Sequence, residues 1–145
     1  TLAILKEYDF PPSQLWIEIT ERCRDLPISM IKKTVTAFRE AGIHITMDDY
    51  GTGSSSSQMM LELPVEGVKI DMFFVKDILE EKKKQALVIG MINFANAADL
   101  KICIEGIEND SLESYLRQFD VTCFQGYHYS RSICQDELMK LLIKP

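Results

Sequence analysis

The chain has 145 residues, of which 46% are hydrophobic, 26% charged and 9% aromatic, a balance that suits one soluble domain around one packed core. Sixteen Lys and Arg against 22 Asp and Glu leave a formal net charge of −6, which excludes a general grip on nucleic-acid phosphates. No apolar run approaches the roughly 18 to 20 residues that span a bilayer, and no signal-peptide layout opens the chain, so the expected location is cytoplasmic, with any membrane anchor of a parent protein in other segments.

In chain order, residues 1–8 read as the tail of a helix and residues 15–20 as a first strand. A helix over 29–41 follows Pro27, with Ser29 as its cap and Gly42 as its stop. Residues 43–48 form a second strand, 55–61 a short helix before Pro64, and 67–70 a third strand. A long helix over 80–98 carries Leu87, Ile89, Met91, Ile92 and Phe94. Strands over 101–105 and 121–125 then alternate with helices over 111–119 and 135–143. Apolar period two alternating with period 3.6 is the signature of successive β-α units on a parallel sheet, and there are five of them. The class is α/β.

The two faces of each strand narrow the architecture. Ile43, Ile45 and Met47 share one side and His44, Thr46 and Asp48 the other. Ile17 and Ile19 likewise oppose Trp16 and Glu18, Val68 and Ile70 oppose Lys69, and Ile102 and Ile104 oppose Cys103 and Glu105. An open sheet with helices on both faces needs apolar residues on both sides. A TIM-type β/α barrel does not, because its interior grades into a polar mouth at the strands' C-terminal ends. Glu18, Asp48, Lys69, Glu105 and Gln125 all fall at those ends.

Glu18, Asp48, Asp49 and Glu105 bring up to four carboxylates to one mouth, where their like charges repel unless a cation neutralises them. Oxygen-only ligation favours Mg²⁺ or Mn²⁺ over structural zinc. The adjacent Asp48 and Asp49 suit a pair of ions about 3.5 to 4 Å apart, an arrangement that activates water and stabilises the leaving oxygen of a phosphodiester. Lys69 is placed to orient the water or offset charge developing on the phosphate.

Five motifs carry a family resemblance. Glu18-Ile19-Thr20-Glu21, the run DDYGTG from Asp48 to Gly53, Lys69-Ile70-Asp71, Glu105-Gly106-Ile107-Glu108 and Gln125-Gly126-Tyr127 resemble, in order and spacing, those of EAL-domain cyclic-di-GMP phosphodiesterases. Leu63-Pro64-Val65 and Ser130-Arg131 extend the likeness along most of the chain. The resemblance implies a bacterial signalling enzyme that linearises cyclic-di-GMP to pGpG with Mg²⁺ or Mn²⁺. By position it implies that Glu18, Asp48 and Asp49 are metal ligands, with Asp48 bridging. It further implies that Lys69 and Glu105 position or deprotonate the water, with Gln125 in the same shell. Glu21 would hold the loop that begins at Asp49 and Glu108 would support the site from the next loop, with Gly51, Thr52, Gly53 and Asp71 in substrate-binding or loop-supporting places.

The family's Glu-Ala-Leu motif and a following Asn ligand have no counterpart here, and a full barrel typically takes about 250 residues. Residues 1–145 are therefore expected to be the C-terminal part of a single barrel domain whose first strands are missing, inactive alone. Two unpaired sheet edges then favour a homodimer or larger self-association. An upstream sensor or GGDEF-type domain is the kind of partner such a parent carries.

Other residues have plainer readings. His44 reads as a hydrogen-bonded core histidine, with metal ligation as the alternative. Cys23, Cys103, Cys123 and Cys134 form no C-x-x-C or zinc spacing and read as reduced thiols, with Cys103 and Cys123 small, buried and facing inward. Lys82, Lys83 and Lys84 read as a solvated helix face, and Met59 and Met60 as packing for the short helix. Gly51 and Gly53 suit either a phosphate cradle or simple loop geometry. Ser54 and Ser57 stand where the family usually has an aromatic residue and a Leu, which motivates a second reading as a non-catalytic cyclic-di-GMP-binding or regulatory module. An unrelated barrel enzyme of the proton-abstracting, enolase type is the third.

Overall fold

The computed structural model describes residues 1–20, 26–52 and 56–142. Helix α1 (Leu2–Glu7) and a 3-10 turn (Pro12–Gln14) lead into β1 (Trp16–Ile19), α2 (Ile28–Glu40), β2 (His44–Tyr50), α3 (Ser56–Glu62) and β3 (Gly67–Ile70). Then come α4 (Met72–Val75), α5 (Lys82–Ala97), β4 (Lys101–Ile104), α6 (Asp110–Leu116), β5 (Cys123–Phe124) and α7 (Gln135–Leu142). All five strands pair in parallel in the order β1-β2-β3-β4-β5. Each strand lies beside its predecessor, so right-handed crossovers stack the helices on one side, whereas a doubly wound sheet reverses at a switch point. The expected series of five β-α units is present as an arc open at β1 and β5.

The apolar face of the arc is the core. Ile45, Met47, Val68, Ile70, Ile102 and Ile104 are each at most 1% exposed and meet Val75, Val88, Ile92 and Ala95 of the helical layer in one cluster. Full burial of such a side chain stabilises the fold by about 1.5 to 3 kcal/mol, so the alternation alone commits which face turns to the helices. Among the described residues no helix is long and apolar enough to cross a membrane.

Several local expectations change. Helix α2 begins at Ile28 with Pro27 at the cap position and no side-chain cap bond, so Ser29 lies inside the helix. Its end does fall before Gly42, where Ile43 N donates to Phe38 O at 3.0 Å and Gly42 N to Arg39 O at 2.9 Å. The four-residue α4 was not legible from periodicity, because one turn is too short to show a period of 3.6. It is started by Asp71, whose Oδ1 accepts from Phe73 N at 2.7 Å. Strand β5 is only two residues long, although Gln125 N still donates to Ile104 O at 2.9 Å beyond it. On α5, Leu87 and Phe94 are exposed and Val88, Met91, Ile92 and Ala95 take the buried stripe.

Two side-chain readings are corrected outright. Cys103 is half-buried and Cys123 exposed, not buried, because β5 is the edge strand of the sheet among the described residues. Lys84 is not a plain solvated charge: its Nζ donates to Lys76 O at 2.6 Å and sits 5.7 Å from the Phe73 ring centre. Met59, by contrast, packs α3 as expected and is 3% exposed. Glu21, Cys23, Gly53 and Ser54, and the side chain of Ser57, lie outside the described residues.

Candidate active site

The acidic pair on β2 is presented by a β-bulge. Met47 pairs with Val68 and Tyr50 with Ile70, so Asp48 and Asp49 together stand opposite the single residue Lys69. Asp49 takes the left-handed conformation this requires, with φ at 54°. Strict alternation would have sent Asp49 toward the helices and Tyr50 to the mouth. The extra residue resets the phase instead: Tyr50 is buried and stacks on Phe94 of α5 with ring centres 6.4 Å apart. Gly51 follows at φ 94°, and a side chain there would run into Met91 and Phe74, so the turn beside the acidic pair admits only glycine.

Lys69 is the centre of the site. Its side chain leaves the inner face of β3 and is one of two buried polar residues among those described, the other being Thr46. Its Nζ lies 2.6 Å from Glu105 Oε1, 2.9 Å from Glu18 Oε1 and 3.4 Å from Asp48 Oδ1. Three carboxylates from the ends of β1, β2 and β4 therefore meet on one nitrogen carried by β3. Burial by itself would lower the lysine pKa, but hydrogen bonds to Glu105 and Glu18 and the charges of Glu105 and Asp48 outweigh it, and the pKa rises above its ordinary value. The ammonium is a fixed charge.

Other residues of the motifs divide by role. Gln125 lies with Glu18, Lys69 and Cys123 on a cavity of about 340 Å³ that occupies the concave side of the sheet. Gln125, Glu105 and Glu108 also line a smaller cavity of about 190 Å³. Asp71 is engaged as the cap of α4, and Thr52 Oγ1 donates to Asp49 O at 2.9 Å, closing the turn after the acidic pair. Both support loops. Ile107 N donates to Gln125 O at 3.1 Å and His128 N to Ile107 O at 3.0 Å, which interlocks the Glu105–Glu108 and Gln125–Tyr127 segments. Gly126 makes this possible, since a Cβ there would overlap the Ile107 backbone.

Sequence reasoning did not single out Met72 and Tyr127, which share the smaller cavity with Glu105 and Gln125. Tyr127 was visible as the last letter of its motif, and Arg131 lies 4.7 Å from its ring centre. Met72 had no signal because α4 itself had none. His44 is hydrogen-bonded as expected, its Nδ1 2.5 Å from Glu66 Oε2, but it is half-buried at the opposite end of the sheet and stacked on Trp16. It is remote from the acidic rim by strand position, at the start of β2.

The rim offers oxygen donors only, which fits a hard divalent cation. Its carboxylates fan around Lys69 and do not close as a trio on one point. Among the described residues the only three candidate ligand atoms within 4.8 Å of one another belong to Asp110, Glu113 and His128, at the start of α6 and beyond β5.

Comparison with known proteins places these features in a family context. The family model for the EAL domain matches residues 1–132. The chain is 36% identical over 137 residues to PdeB of Escherichia coli, named a probable cyclic di-GMP phosphodiesterase, covering 94% of this chain and 26% of that protein. The solved EAL domain of Mycobacterium smegmatis DcpA matches with a TM-score of 0.90 at 30% identity, over 97% of this chain and 63% of that one. A manganese and cyclic-diGMP complex of Klebsiella pneumoniae BlrP1 matches with a TM-score of 0.82 at 27% identity, over 90% of this chain and 33% of that one. The chain spans about a fifth of the length of the first curated relatives it matches.

Proposed function

The chain belongs to the EAL domain family, and on that premise we propose that it supplies five β-α units of a domain that hydrolyses cyclic-di-GMP to linear pGpG with Mg²⁺ or Mn²⁺. The observation that carries this reading is the meeting of Glu18, Asp48 and Glu105 on Lys69 Nζ at the C-terminal ends of parallel strands, the face where barrel enzymes build their sites. The relatives named as phosphodiesterases and the manganese complex of a neighbour support the substrate and the metal.

Glu18, Asp48 and Asp49 would hold the ions. Bound there, divalent ions supply a water of lowered pKa and a counter-charge for the leaving oxygen. Lys69 contributes a permanent positive charge, held in place by three carboxylates, to a phosphate oxygen on which negative charge grows. Glu105 is oriented by its bond to Lys69 and has an oxygen to accept a proton from the attacking water. Gln125 adds a neutral amide beside Glu105 at the cavity wall. Asp71, Thr52 and Gly51 hold the loops that carry these groups.

The test is chromatographic measurement of pGpG release by the domain containing these units. Turnover should require Mn²⁺ or Mg²⁺ and stop with a chelator, and Asp48→Asn and Lys69→Met should each cost about 10²- to 10³-fold in rate. Absence of turnover, or an Asp48→Asn protein as fast as wild type, overturns the reading. Binding of the dinucleotide without cleavage would select a regulatory module. The open edges of β1 and β5 support self-association of the 145-residue chain, and a monomer by light scattering would contradict that part.

A further inference from the structure

We propose that Cys103 and Cys123 are a thiol modification site that closes to a reversible disulfide between β4 and β5, on the concave face of the sheet. The two residues are direct register partners in the parallel pair. Adjacent strands lie about 4.7 to 4.9 Å apart, inside the roughly 4.4 to 6.8 Å Cα separation that a disulfide spans. Registered residues of parallel strands project to the same side, and Ile102 and Ile104 take the other. Both cysteines line the 340 Å³ cavity, and both are free. A lone thiol would lack this prearranged partner.

The exposed Cys123 is the entry point and the half-buried Cys103 the resolving group. With glutathione disulfide as oxidant, the Cys123 thiol loses its proton to solvent and its sulfur attacks one glutathione sulfur. The glutathione S–S bond breaks, the departing thiolate takes a proton, and a mixed disulfide is left on Cys123. Cys103 then gives up its proton, its sulfur bonds to Cys123 Sγ, and the second glutathione leaves as a thiol. Two protein thiols are oxidised and one glutathione disulfide is reduced to two thiols. The product ties the two-residue edge strand to β4 and so fixes Gln125, two positions beyond Cys123. This inference is independent of the phosphodiesterase reading.

The experiment oxidises the 145-residue chain, and in parallel a Cys23→Ser, Cys134→Ser variant, with glutathione disulfide. In the Cys23→Ser, Cys134→Ser variant intact mass should fall by about 2 Da, with both thiols lost and restored by dithiothreitol. Peptide mapping should link Cys103 to Cys123 in both proteins. Hydrogen exchange at the Gln125 amide should slow by about tenfold in the oxidised form. Cys103→Ser in the same background should stop at the mixed disulfide on Cys123. Glutathione left on both cysteines, links to other chains, or two thiols still titrating in the Cys23→Ser, Cys134→Ser variant would overturn the proposal.

Discussion

Lys69→Met keeps most of the apolar stem while deleting the ammonium that joins three acidic side chains. Breaking a fully buried ion pair from one side typically costs about 3 to 5 kcal/mol, because the charge left behind has no partner. The Glu18 side chain is 47% exposed, so water replaces much of its share, and exposed pairs contribute at most about 1 kcal/mol. The side chains of Asp48 and Glu105 are 21% and 20% exposed and lose more. The expected loss of stability is about 2 to 3 kcal/mol at neutral pH, below the fully buried range. With a urea slope of about 1 to 3 kcal/mol/M, the unfolding midpoint should fall by about 1 M. Circular dichroism and the fluorescence of Trp16, the single tryptophan, would report it. In a Glu105→Gln background the penalty should shrink by about 1 to 2 kcal/mol, since the two residues share the contact. The lysine's folded-state pKa is raised, so its stabilisation is complete below the ordinary value of about 10.4 and fades only as pH climbs through the raised one. The gap between wild type and variant should therefore hold constant from about pH 7 to 9. A variant within about 0.5 kcal/mol of wild type, or no coupling to Glu105→Gln, would refute the idea that these carboxylates are gathered on this nitrogen.

Two glycines should respond oppositely to alanine. Gly126→Ala puts a methyl against the Ile107 backbone and should cost about 3 kcal/mol or more, whereas Gly90→Ala, with open space beside it in α5, should gain about 0.5 to 1 kcal/mol; denaturant titration compares them. Asn109→Ala removes the 2.9 Å cap bond from Leu112 N at the start of α6 and should cost about 1 kcal/mol, read as a lower thermal midpoint that Asn109→Asp largely restores.

Much of the fold was readable because each strand carries its own instruction. The alternation of Ile45 with Thr46 and Met47, or of Val68 with Lys69 and Ile70, states which residues meet the helices, and the structure buries those residues. The motif residues Glu18, Asp48, Lys69, Glu105 and Gln125 fall at strand ends because their spacing follows the β-α units. Harder to read were features defined by a neighbour. Cys123 has ordinary strand chemistry, and only its place at the edge of the arc leaves it exposed.

From the sequence alone came the class, the number of β-α units, the face of each strand that enters the core and the residues at the polar mouth. All of these depend on side-chain type and on periods within one segment. The tertiary structure decided the bulge that sets Asp48 and Asp49 opposite Lys69, and the convergence of Glu18, Asp48 and Glu105 on a single ammonium. Register and convergence arise from hydrogen bonds and charges between strands far apart in the chain, and a period-two pattern is the same in every register that shifts by two residues.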